Sequence, residues 1–138
     1  MIDAENLVFS TVATALRNQF SGIYVAGEYV TAPARFPAVT LVEVDNRVLE
    51  RMRTLNIENA VTATYELNVY SNKTVGKKAE AKSIVDFADS VFADMGFTRT
   101  MREQVPNLAD STIYRIVARY EAVITVDDSG EEFTFYQG

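Results

Sequence analysis

Val61-Thr62-Ala63-Thr64-Tyr65-Glu66-Leu67-Asn68-Val69-Tyr70 alternates without a break, Val61, Ala63, Tyr65, Leu67 and Val69 pointing one way and Thr62, Thr64, Glu66 and Asn68 the other. A period of two residues is that of a strand, and this division predicts one apolar face against a core and one wet face. The period then changes. Across residues 75–95, Ala81, Ile84, Val85, Ala88, Val91, Phe92 and Met95 recur at helical spacing, with Gly96 placed to end the helix in a left-handed turn and Asn72 or Thr74 placed to cap its start. A half-buried strand followed by an amphipathic helix calls for a helix-on-sheet layer.

Working outward, residues 4–20 carry Val8, Val12, Ala15, Leu16 and Phe20 at helical spacing, with Asp3 available to the first free amides and Ser21-Gly22 as a stop. Residues 23–30 read as a short strand. The segment 31–37 holds Pro33 and Pro37 and is expected to be a loop along a sheet edge, since proline gives no donor to a ladder. Residues 38–44 are β-branched and apolar. Residues 45–60 are polar and free of proline and glycine, and we expect them to form the projecting arms of a hairpin rather than a long loop. Beyond Gly96, residues 97–104 alternate, Val105-Pro106-Asn107 breaks the pattern, and 112–126 is a long strand with Tyr114, Ile116, Ala118, Tyr120, Ala122 and Ile124 on one face. Asp127-Asp128-Ser129-Gly130 is a turn leading to a last strand, 131–136. The order helix, strands, helix, strands predicts a single α+β domain spanning 1–138, an antiparallel or mixed sheet of about five strands with two helices packed on one face.

Composition narrows the chemistry. The chain of 138 residues contains neither cysteine nor histidine, which removes disulfides, thiolate metal sites and the usual general base. No catalytic residue, cofactor or bound metal is expected. A formal charge of -6 argues against nucleic-acid binding by a whole-surface basic patch. No apolar run approaches the roughly 20 residues that span a bilayer, and the first residues lack a signal peptide's basic start and apolar middle, so we expect a protein folded in a cytoplasm, with no membrane partner.

Motif-like fragments have plainer readings. Thr74-Val75-Gly76-Lys77-Lys78 resembles the end of a phosphate-binding loop, but Ser71 and Lys78 stand where that loop needs glycine and Ser or Thr; Lys73, Lys77, Lys78 and Lys82 read as a solvated helix face. Asn72-Lys73-Thr74 is a sequon by pattern and a helix start by context. Asp127, Asp128, Glu131 and Glu132 lack the spacing of a calcium loop, and Asp86, Asp89 and Asp94 are expected to face water. The arginines hold more interest. Arg47, Arg51 and Arg53 in the polar stretch, and Arg99, Arg102, Arg115 and Arg119 on the later strands, are suited to directed contacts across a protein interface, against the alternative of pairing with Glu66, Glu103 and Glu121 within the chain.

The order of these elements, with Tyr65-Glu66-Leu67-Asn68-Val69-Tyr70-Ser71, the helix entry Gly76-Lys77-Lys78-Ala79-Glu80-Ala81-Lys82, Met95-Gly96-Phe97-Thr98-Arg99, Ile113-Tyr114-Arg115 and Arg119-Tyr120-Glu121-Ala122, resembles the small tail-terminator or tail-completion proteins of long-tailed bacteriophages (siphoviruses). The resemblance runs from about residue 36 to residue 126. It implies a non-enzymatic virion protein of the tail or neck. Such a protein forms a ring, typically a homo-hexamer, that caps the tail tube, stops its polymerisation and offers a docking surface to the head connector. Its partners would be the tail-tube protein and a neck protein; DNA would pass through the ring without sequence-specific binding, and the acidic balance predicts a lumen that repels phosphate. A closed ring needs two unlike patches per subunit, for which Arg47, Arg51 and Arg53 on the arms and Arg115 and Arg119 on the long strand are the candidates. Two other readings compete: another neck or head-completion protein, and a small ligand-binding or carboxylate-dependent enzyme domain using Tyr65, Tyr114 or Tyr120 in a cleft.

Overall fold

The computed structural model describes residues 1–30, 33–52, 59–107 and 110–137. Elements run α1 (Glu5–Gln19), β1 (Tyr24–Ala26), β2 (Ala38–Val48), a short 3-10 turn (Glu50–Met52), β3 (Ala60–Ser71), α2 (Lys77–Met95), β4 (Thr98–Gln104), β5 (Tyr114–Val126) and β6 (Phe133–Tyr136). The fold is α+β: a six-stranded mixed sheet in the order β1-β2-β3-β5-β4, with β6 also paired to β5 and both helices packed against the sheet. Strands β4 and β6 share one side of β5 end to end, β4 against residues 116–121 and β6 against 123–126.

The core lies between the helices and the apolar face that the alternation in β3 predicts. Val61, Ala63, Leu67 and Val69 are fully buried there, with Val8, Val12 and Leu16 of α1 and Ala81, Ile84, Val85, Ala88 and Phe92 of α2. Ala13, not Ala15, completes the buried stripe of α1. Phe20 and Phe87 meet edge-to-face at 5.6 Å where the helices touch. Asp3 accepts from the Glu5 amide at 3.1 Å, as its position predicts. The turn after β5 is held by Asp127, whose Oδ1 accepts from the Ser129 hydroxyl and from the amides of Glu131 and Glu132.

Four expectations are corrected. The strand at 23–30 is only Tyr24–Ala26 and runs parallel to β2, because the chain after it leaves the ladder and crosses the helix-free face, where Val30 receives the Tyr70 hydroxyl at 3.1 Å. That crossing overturns the second expectation, a wet second face on β3: Asn68 is buried, and Tyr70 is buried in a small cluster with Ala38 and Ile113 against which Tyr24 and Phe36 pack. The stretch 45–60 does not project where it is described, since residues 45–48 continue β2 opposite residues 61–64 of β3, and Ala60, Val61 and Ala63 are fully buried; residues 53–58 lie outside the described residues. Finally, neither Asn72 nor Thr74 caps α2. Its cap position is Gly76 at φ 86°, and Glu80 reaches back from the first turn so that Ser71 donates to its carboxylate at 2.7 Å and Lys73 pairs with it at 3.4 Å.

Candidate functional site

The sheet face turned away from the helices is lined by β-strand side chains, and at the Tyr70 end the segment after β1 lies over it, with Tyr29, Val30 and Phe36. In β3 and β5 the paired residues Glu66↔Arg119 and Tyr70↔Arg115 point to this outer face, and so do Asp45 and Arg47, opposite Thr64 and Thr62. A polar chain crosses it. Arg119 donates to Glu66 Oε1 through Nε and a terminal nitrogen at 3.2 and 3.1 Å, Asn68 Nδ2 donates to Glu66 Oε2 at 3.3 Å, and Arg115 Nε donates to Asn68 Oδ1 at 2.9 Å. Beside this chain, the Thr64 hydroxyl donates to Glu121 at 3.4 Å.

The five candidate arginines have different environments. Arg115 is half-buried, its guanidinium 5.6 Å above the Tyr70 ring and 5.7 Å from that of Tyr29, so it serves the packing of this chain. Arg119 keeps 48% of its side chain exposed while Glu66 beneath it is only 16% exposed, which holds a cation at the surface in one orientation. Arg47 is exposed and paired with Asp45 at 2.7 Å. It stands four residues along the strands and two strands across from Arg119, about 16 Å by strand geometry. Arg51 is exposed in the 3-10 turn. Arg53 lies outside the described residues.

Arg99 and Arg102 turn the other way. An irregularity between Arg99 and Met101 places both on the helix side, where they pair with Asp89 at 3.2 Å and Asp86 at 2.8 Å. Asp86 and Asp89 therefore tie α2 to β4 and do not merely face water. Asp89 also accepts from the Tyr120 hydroxyl at 3.0 Å. Burial, and the Asp89 charge after it, push the Tyr120 hydroxyl far above its ordinary range, the opposite of what an activated nucleophile needs. Glu66 was named from sequence as a possible partner of the arginines, and it pairs with Arg119; Asn68, Tyr70 and Tyr29 also belong to the outer-face network but were not singled out, since the period of two puts Glu66 and Asn68 on one face yet nothing in it names β5 as the neighbour.

Substitution separates the two arginines of β5. Arg115→Ala strands a buried Asn68 oxygen and should cost about 1–3 kcal/mol, whereas Arg119→Ala should stay within about 1 kcal/mol because its pair is half in water. Urea unfolding of both variants checks this; equal costs would mean that Arg115 is not anchored as described.

A groove of about 330 Å³ lies on the helix side, bounded by Lys78, Lys82, Arg102, Glu103, Gln104 and Tyr114. Lys77 is turned from it to donate to the Thr112 carbonyl at 3.0 Å. Among the described residues no helix is long and apolar enough to cross a membrane. The sequence matches no protein-family model and no curated protein.

Proposed function

We propose that the protein is a ring-forming structural subunit of a long-tailed phage, a tail terminator that caps the tail tube, halts its growth and presents a docking surface to the head connector. The observation carrying this reading is the helix-free sheet face with its ordered Arg119-Glu66-Asn68-Arg115 chain, together with the resemblance in element order. The proposed occupant of that face is a second copy of the chain. Head-to-tail closure joins unlike surfaces, and in a chain with a net charge of -6 a sheet face presenting Arg119 and Arg47 is complementary to the acidic remainder of a neighbour. Arg119 supplies the ordered cation, Arg47 and the exposed Arg51 its extension toward the turn after β2, and Arg115 keeps the face rigid from below.

Light scattering across a range of concentrations, with negative stain of any large species, tests the reading. The expected result is a closed assembly of about six 15.4 kDa chains, returned to monomer by Arg119→Ala with the circular dichroism unchanged. A chain that stays monomeric at every concentration and also fails to bind tail-tube rings would overturn it.

A further inference from the structure

Where α1 begins, three carboxylates converge on the end of the helix. Asp3, Glu5 and Glu43 each bring an oxygen within 4.8 Å of the others. They are ordered by the backbone. The Glu5 amide donates to Asp3, and the Glu43 amide donates to Glu5 Oε2 at 3.2 Å. Just after it β2 is irregular, one residue between Glu43 and Asp45 being skipped in the pairing with β3. Asn46, on the same side of the strand, donates to the Ile2 carbonyl at 3.1 Å and ties the segment before α1 to the sheet.

Acidic residues often gather at helix starts, where the dipole favours them, and alone they mark nothing. Here a second observation is independent of them. Tyr65 is 1% exposed, and its hydroxyl has no hydrogen-bond partner. It stands directly opposite Glu43 in the β2–β3 ladder, on the same face. After burial itself, the charges that push this hydroxyl up are those of the same three carboxylates, Glu43, Glu5 and Asp3. Glu43 Oε1 is likewise buried without a partner. A buried hydroxyl and a buried carboxylate oxygen, both unpaired beside two further carboxylates, are costly unless something satisfies them.

We propose that Asp3, Glu5 and Glu43 form a site for a hard divalent cation of the calcium class, with the Tyr65 hydroxyl bonded to a coordinated water or carboxylate oxygen. Two oxygens bound to one calcium at 2.3–2.6 Å are at most about 5 Å apart, a limit the trio meets, while magnesium would require about 4 Å. Met1, Asp3, Glu43, Asn46 and Val48 line a cavity of about 360 Å³, roomy enough for the waters that complete the coordination. The cation would tie the start of α1 to the bulge of β2. The site stands whether or not the chain forms a ring.

Terbium is the probe, because the chain has no tryptophan and tyrosine alone would sensitise its emission. The full chain is titrated with Tb³⁺ under tyrosine excitation, Ca²⁺ is added as competitor, and melting is followed with and without Ca²⁺. Saturable emission at one ion per chain, displaced by Ca²⁺, is expected, with a rise in Tm of roughly 5–10 °C at saturating Ca²⁺. Glu43→Gln should weaken Tb³⁺ about tenfold or more, and Tyr65→Phe should dim the sensitised emission. Asp3→Asn, at an exposed position, repeats the affinity test should Glu43→Gln fold poorly. Asp128→Asn, in the acidic turn after β5, should change nothing. Emission that Ca²⁺ does not displace, a Tm indifferent to Ca²⁺, or a loss confined to Asp128→Asn would overturn the proposal.

Discussion

Phe92→Ala is expected to cost about 3–5 kcal/mol and to lower Tm by roughly 10–15 °C for a domain of this size. Phe92 is fully buried, stacked on the Tyr120 ring at 4.1 Å and 4° and met edge-on by Phe97 at 5.3 Å. Truncation removes one ring from a three-ring cluster joining α2 to β5. The neighbours cannot collapse into the space freely, because Tyr120 is held by its bond to Asp89 and Phe97 lies between Tyr65 and Phe135. The cavity therefore persists, which puts the cost toward the upper end of the range for such truncations. Urea unfolding and calorimetry read it directly. A loss below about 1.5 kcal/mol would show that α2 does not pack on β5 through these rings.

Gly96→Ala is the second large effect, and its cause lies in the backbone. Gly96 ends α2 at φ 108°, where its amide and that of Phe97 bond back to the carbonyls of Ala93 and Phe92. A Cβ there would sit 2.6 Å from the Phe135 carbonyl oxygen. Left-handed backbone alone costs an L-residue about 1–2 kcal/mol, and relieving the clash requires β6 to move off β5, so a total of about 3 kcal/mol or more is expected. Gly76→Ala is the internal control. Its φ of 86° is similar, but nothing lies within 4 Å of the added atom, so its cost should stop at about 1–2 kcal/mol. Equal losses at the two positions would mean that β6 is not seated against the end of α2.

These stability effects are separable from the assembly we propose. Phe92 and Gly96 lie under the helices, while Arg119 and Arg47 lie on the opposite sheet face, so a ring should survive either core substitution below its lowered Tm. Arg119→Ala should do the reverse, removing the ring at a stability cost within about 1 kcal/mol, since its pair is half in water.

Periodicity alone determined which segments are helices and which are strands, because a helix or strand that buries one side must repeat its apolar residues at 3.6 or 2. The stripe from Ala81 to Met95 and the long strand ending at Val126 were legible in this way, and the Gly96 cap and the turn to Gly130 from their residue types. Neighbours were not. Strand order, the parallel pairing of β1 and the crossing over Tyr70 depend on contacts distant in sequence, and they turned an expected wet face into a second small core. Irregular pairing mattered most. Skipping one residue reverses the facing of every later side chain, and that is how Arg99 and Arg102 came to share the helix side and how Glu43 and Asn46 came to share a face. The candidate arginines could be named from sequence, but only the tertiary structure decided that Arg115 is anchored within the chain, that Arg119 is presented outward, and that Asp3, Glu5, Glu43 and Tyr65 meet at all, because each depends on which strand lies beside which.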